Sequence, residues 1–330
     1  MRFDNRSRVS TYLSDWMPSG DTMRQGVAGY VAGGYDTAYL SAIDKITFPA
    51  DTKTTLSATL TSVINGAYGF ADSGVAGYNA GGYDSSVVVS GIDKIAFPAD
   101  TKTTLSATVS TASYSGASFA DSGVAGYFGG GSNAGAIEYS FIDKLAFPAE
   151  TRTTMTTTLT STRRQLSGFG NNGVAGYFCG GNDDTGGGND VRQDNIQKIS
   201  FTSDSSSTLA ATLTVRLYHG TFADNGVAGY ICGGNANASN GSGGNFASID
   251  KIALPADTKT VLSATLSTAR YLSAGMSNSG TAGYAAGGYD SGNISGIDKI
   301  AFPADTKTTL SATLTSARYG GQGFSNQGVF

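Results

Sequence analysis

One five-residue phrase governs what this chain can fold into. Gly-Val-Ala-Gly-Tyr begins at Gly26, Gly74, Gly123, Gly173 and Gly226, recurs as Gly-Thr-Ala-Gly-Tyr at Gly280, and is cut short as Gly-Val-Phe at Gly328. The intervals are 48, 49, 50, 53, 54 and 48 residues. A repeat of this length is one supersecondary unit, and its faces are buried only by stacking on its neighbours. Two further anchors follow each phrase. The first is Ile-Asp-Lys-Ile at Ile43, Ile92, Ile249 and Ile297, with Ile-Asp-Lys-Leu at Ile142 and Ile-Gln-Lys-Ile at Ile196. The second is the turn Phe-Pro-Ala-Asp-Thr-Lys-Thr-Thr-Leu at Phe48, Phe97 and Phe302, varied at Phe147 and Leu254 and without its Pro at Phe201. The anchors define six units.

Each unit reads as four short strands. In the second, these are Tyr68 to Ala71, Val75 to Ala80, Ile92 to Phe97 and Thr103 to Val109. Gly81-Gly82 closes the second strand, and Pro98-Ala99-Asp100-Thr101 forms the turn before the fourth, with Pro presetting φ at the second turn position. Composition agrees with strands. The chain has only two Glu, Glu138 and Glu150, against 47 Gly, and each Gly weakens a helix by about 1 kcal/mol. Four strands at a period near 50 predict an all-β, six-bladed propeller of antiparallel blades, residues 26–330, preceded by an arm, residues 1–25.

The double glycine extends the argument. Gly-Tyr-Val-Ala-Gly-Gly-Tyr-Asp at Gly29, its counterparts at Gly77 and Gly283, and the Arg that ends the unit before Tyr271 and Tyr319 resemble the kelch pattern. The resemblance covers residues 26–330 and departs from the family at the fourth strand, where the family carries a Trp and this chain reads Thr-Thr-Leu-Ser-Ala-Thr-Leu. The near-identical wording of the units is also similar to kelch-like repeat proteins of tailed bacteriophages.

Ring closure follows from the chain ends. The first unit lacks a leading strand, whereas Arg318 to Gln327 repeats the leading strand of the other units after the sixth. The C-terminal segment is expected to complete the first blade beside residues 26–34, which removes the unpaired edges of an open array.

Candidate chemistry is sparse. The single His, His219, has no nucleophile or metal partner identifiable by spacing, and one His excludes a copper-radical oxidase of the kelch type. Cys179 and Cys232 precede their double glycines where other units carry Ala or Gly, so they read as small buried side chains. The Asp of each Ile-Asp-Lys recurs from unit to unit, which argues for a structural role in which that Asp or its Lys bonds a neighbouring turn. No catalytic residue, metal or cofactor is expected. The net charge of −4 and pI of about 4.9 argue against nucleic acid, no apolar run is long enough for a membrane span, and the opening residues lack the apolar stretch of a signal peptide.

Departures from the repeat point instead to recognition. The loops after the double glycine are irregular in the fourth and fifth units, with Asn182, Asp183 and Asp184 in one and Asn235 and Asn237 in the other. Clustered oxygens in the former suit a hard cation, although EF-hand spacing is absent. In a propeller these loops share a face with the inter-blade connections, which carry Arg163, Arg164, Arg216, Arg270 and Arg318 near Tyr218, Tyr271 and Tyr319. That face is a candidate surface for protein or carbohydrate, with Tyr35, Tyr83, Tyr289, Arg163, Arg164, Arg270 and Arg318 as contacts; the same Arg residues serve equally as inter-blade staples. The arm holds the only Trp, and Tyr12, Leu13, Trp16 and Met17 are candidate anchors. The phage resemblance implies a non-enzymatic virion protein of the tail or baseplate region. It would be present in multiple copies, bind other virion proteins through the arm, and display the propeller to a host-surface protein or glycan. The alternative is a cellular kelch-like scaffold.

Overall fold

The computed structural model describes residues 28–184, 190–236 and 244–326. Six four-stranded antiparallel sheets form the six blades of a β-propeller. Blade 2 shows the pattern: Tyr68–Asp72 innermost, then Ala76–Ala80, Ile92–Ala96 and Thr101–Thr104 at the perimeter. Blades 3 to 6 open with Ala117–Asp121, Ser167–Asn171, Gly220–Asp224 and Ala274–Asn278. Blade 1 is built from both ends of the chain. Gln322–Ser325 is its innermost strand and pairs with Ala28–Ala32, placing Tyr30 opposite Phe324 and Ala32 opposite Gln322. The closure expected from the C-terminal copy is what forms.

The glycine of Ala-Gly-Tyr explains how blades seat on one another. A Cβ at Gly77 would lie 2.2 Å from the Phe324 ring of blade 1, and one at Gly126 would lie 2.2 Å from Phe70 of blade 2. Five blades lay the aromatic of their innermost strand on a bare backbone of the next, and blade 6 lays Met276 on Gly29 in the same way. The following Tyr continues the stack. Tyr30 lies 5.3 Å from Phe324 within its blade and 5.0 Å from Phe97 of blade 2, both nearly parallel.

That Tyr then reaches a polar bond. Tyr30 Oη donates to Asp100 at 2.8 Å, and Lys45 of the Ile-Asp-Lys motif donates to the same carboxylate at 2.7 Å. The arrangement recurs at every interface, ending with Tyr284 and Lys299 on Asp51, so six Tyr–Lys–carboxylate groups link each blade to the next turn. The acidic turn residue adopts left-handed backbone, φ 55 at Asp100, and the peptide bond before Pro98 is cis.

The fourth strand is shorter than its sequence suggests. It was expected over Thr103 to Val109 and occupies Thr101–Thr104; beyond it only single bonds, Leu105 N to Ile92 O and Val109 N to Ser90 O, keep the chain near the sheet. The Ile-Asp-Lys aspartate ties the end of this strand to the adjacent connection: Asp93 accepts from Thr104 Oγ1 at 2.8 Å and from both the amide and hydroxyl of Thr61 at 2.6 Å. Only blade 5 keeps a long outer strand, Thr258–Thr265, with a register shift between Ser248 and Asp250.

Candidate functional site

Each inter-blade connection runs over one face and is clipped to the residue that follows the next double glycine. Tyr319 pairs with Tyr35, Asn65 with Tyr83, Tyr114 with Ser132, Arg164 with Asn182, Leu217 with Asn235 and Tyr271 with Tyr289, each as an isolated antiparallel bridge. The double glycine makes the clip possible. Gly33 and Gly34 have φ of 66 and 104, and their Cβ atoms would meet Ile64 O at 2.6 Å and Tyr319 O at 2.9 Å.

One residue further on, the six connections join around the axis. Gly66, Ser115, Gln165, Tyr218, Leu272 and Gly320 all adopt left-handed backbone, φ 56 to 67. Each donates its amide to the carbonyl of the one before, from Ser115 N to Gly66 O at 2.7 Å round to Gly66 N to Gly320 O at 3.0 Å. Bulky residues such as Tyr218 and Leu272 avoid this conformation unless their surroundings impose it. This hydrogen-bonded ring frames an axial socket of about 100 Å³. Its wall includes Ser115, Ser118, Gln165, Ser167, Thr221 and Ser273, and it contains no Asp, Glu, Lys or Arg.

The clips bring tyrosines together. Ring contacts run unbroken from Tyr114 to Tyr83, Tyr39, Tyr35, Tyr319, Tyr289, Tyr271 and Tyr218, with centroids 5.1 to 5.9 Å apart. All eight are half-buried. They form a crescent around the socket over the connections from blade 4 to 5 through blade 1 to blade 3. Asp36, Asp84 and Asp290 lie beside Tyr35, Tyr83 and Tyr289. Asp36 accepts from the Thr37 and Ala38 amides, which hold its carboxyl below the usual range, and Asp290 accepts from Asn245 at 2.8 Å.

Of the residues singled out from sequence, Tyr35, Tyr83 and Tyr289 belong to the crescent. Three of the arginines do not reach this surface. Arg163, Arg270 and Arg318 are fully buried, as is Arg216. Arg318 binds Asp44 at 2.9 Å, Arg270 binds Asp298 at 3.1 Å and Arg216 binds Asp250 at 2.6 Å, while Arg163 finds Gln197 at 2.9 Å in the same place. Each crosses to the Ile-Asp-Lys or Ile-Gln-Lys strand of the next blade, so the staple reading replaces the binding one. Burial lowers the Arg318 and Arg270 pKa values, opposed by the facing carboxylates. Two interfaces lack the Arg. Ile64 takes its position before blade 2. Before blade 3, Ser113 holds Tyr68 Oη, which donates to Gly130 O at 2.8 Å. Arg164 is half-buried and pairs with Glu138 at 3.1 Å.

The irregular loops divide likewise. Asn182 and Asp183 are buried rather than displayed, because Asn182–Asp184 folds back as a hairpin on Asp190–Arg192 under the Arg164 clip. Asn235 is half-buried and donates to Asn245. Asn237 and the arm residues Tyr12, Leu13, Trp16 and Met17 lie outside the described residues. Tyr39 and Tyr114 were missed by the sequence reading. Tyr114 was legible, since it aligns with Tyr271 and Tyr319; Tyr39 has no counterpart in the other units.

His219 lines the socket beside Ser167, whose hydroxyl contacts His219 Nδ1. Burial first, then Arg216, push the imidazole down to about 3, opposed by Asp250. A base this weak is a poor proton acceptor for Ser167, and His219 Nε2 has no hydrogen-bond partner among the described residues. Cys179 and Cys232 are free and fully buried; burial raises both thiols, Cys232 to about 12. Among the described residues no three His, Cys, Asp or Glu side chains group as metal ligands.

The His219 environment has a measurable consequence. Above pH 6.5 the imidazole is neutral whether the chain is folded or not. Below it the unfolded chain takes a proton that the folded chain refuses until about pH 3. Wild type should therefore lose about 1.4 kcal/mol per pH unit relative to His219→Gln between pH 6 and 4. Urea unfolding of both proteins across that range measures it; parallel pH profiles would contradict the assignment.

No family model matches the sequence, and no curated protein matches it. Among solved structures, YjhT aligns with a TM-score of 0.65 over 85% of this chain and 97% of its own, at 14% identity. At that identity the likeness is one of fold.

Proposed function

We propose that the protein is a non-enzymatic recognition module of a tailed-phage particle, a kelch-like propeller held in the tail or baseplate region with its tyrosine crescent displayed. The crescent carries the reading. Among the described residues it is the one extended aromatic surface that the propeller's own packing does not consume, and it breaks the repeat.

The position of Ala28, the first described residue, agrees with the same division of labour: it lies opposite Thr47, next to the Phe48-Pro49 turn, on the face opposite the crescent. That opposite face repeats Val75, Val124, Val174 and Val227, each about half exposed, at successive blades. An apolar arc over four blades suits attachment, with Tyr12, Leu13, Trp16 and Met17 as anchors into a neighbouring virion protein. Copies on a symmetric particle would add avidity of roughly 10²–10⁴ to weak single contacts.

Deleting residues 1–20 should leave a folded propeller that no longer enters assembled particles. Normal incorporation of the truncated chain would remove the anchoring role. Recovery of the full chain only from cell extract would favour a cellular kelch-like scaffold.

A further inference from the structure

We propose that the crescent and socket bind a neutral glycan chain; the inference rests on the recognition reading and names its ligand class. Three observations converge. Tyrosines in unbroken contact offer a curved run of half-exposed rings, which suits the apolar faces of successive sugar rings better than a single compact ligand. The socket they surround is walled by hydroxyl and amide side chains and by glycine backbone, with no charge. At about 100 Å³ it admits a few waters or one protruding substituent, such as a hydroxymethyl or acetamido group, rather than a whole ring.

The third observation is an unmet bond. Ser273 lines the socket, is 8% exposed, and its Oγ has no hydrogen-bond partner among the described residues. A buried hydroxyl without a partner is costly, and a rotation about χ1 of Ser273 that turns its Oγ from Gly220 toward the socket lets a sugar hydroxyl supply one.

Charge selects among glycans. The carboxylates beside the crescent, Asp36, Asp84 and Asp290, accept bonds from sugar hydroxyls but repel uronates, sialates and phosphates. The arginines that would attract such anions are spent elsewhere: Arg270 and Arg318 are buried on carboxylates, and Arg164 is paired with Glu138.

The test is equilibrium binding of the purified full chain to dextran, galactomannan and chitin oligomers, with polygalacturonate and poly-lysine as charged counterparts. Binding to a neutral polymer and not to polygalacturonate is expected. Tyr289→Asn with Tyr319→Asn should weaken it roughly tenfold or more. The melting temperature should hold, since Asn235 and Asn65 stand natively at those two positions of the repeat. Ser273→Ala should weaken it several-fold with no loss of stability. Binding only to polygalacturonate or only to poly-lysine, no binding to any neutral polymer, or neutral binding that survives both sets of changes would overturn the proposal. Particle incorporation is scored separately, so a failed ligand assignment leaves the virion reading standing or falling on its own result.

Discussion

Removal of residues 322–330 should convert a stable monomer into an aggregating chain. Without Gln322–Ser325, the strand Ala28–Ala32 loses its inner neighbour, and its five residues, all buried, become an open sheet edge. Three further contacts go with it. Phe324 leaves its seat on Gly77 and its stack with Tyr30, and Asn326 no longer accepts the Ala28 amide at 3.0 Å. Phe324→Ala alone should cost about 3–5 kcal/mol, since the ring is fully buried between two blades. Light scattering coupled to size exclusion reads the first outcome and urea unfolding the second. A truncated chain that remains a monomer with an unchanged melting temperature would show that closure does not depend on this strand.

The second large effect belongs to the buried staples. Arg216→Ala should destabilise by about 3–5 kcal/mol, because Asp250 is then left fully buried without its 2.6 Å partner. The molecule contains its own control. Asp93 faces Ile64 where the other staples place an Arg, and is held by Thr61 and Thr104. Asp44 has the same threonine set, Thr315 and Thr55, in addition to Arg318. Arg318→Ile should therefore cost less, under about 2 kcal/mol, because it recreates an interface that already exists one blade away. Equal losses in the two variants would mean that the guanidinium, not the threonine set, satisfies the aspartate at every interface.

The sequence was most legible where a residue's job is repeated. The Ile-Asp-Lys motif and the C-terminal copy of the leading strand recur at fixed spacing, so their roles survive as pattern, whereas the glycine of Ala-Gly-Tyr marks the repeat but shows its role as a seat only once the blades stack. The arginines were harder to place. A guanidinium in a polar connection reads as surface, and its burial is set by an aspartate about thirty residues onward that only the ring brings beside it, as with Arg216 and Asp250. The fourth strand was overextended for a simpler reason, since threonine alternation persists past Thr104, where the ladder ends. The crescent was half visible. Tyr35, Tyr83 and Tyr289 stood out by motif, but their continuity depends on Tyr39 and Tyr319, at two further kinds of position. The propeller joins them only by bridging each connection to the next double glycine.

The ring of six amide-to-carbonyl bonds around the socket has an electrical corollary. Its peptide dipoles run head to tail along a circle, so their components along the axis do not accumulate as they do in a helix. The mouth consequently presents neither the converging amides that capture anions nor the converging carbonyls that strip a cation of its water. Displacing one blade outward breaks two links of the circuit at once, which makes the aperture a fixed diaphragm. A guest entering it is sorted by shape and by hydroxyl geometry, and any selection by charge comes from the carboxylates beside the crescent rather than from the ring.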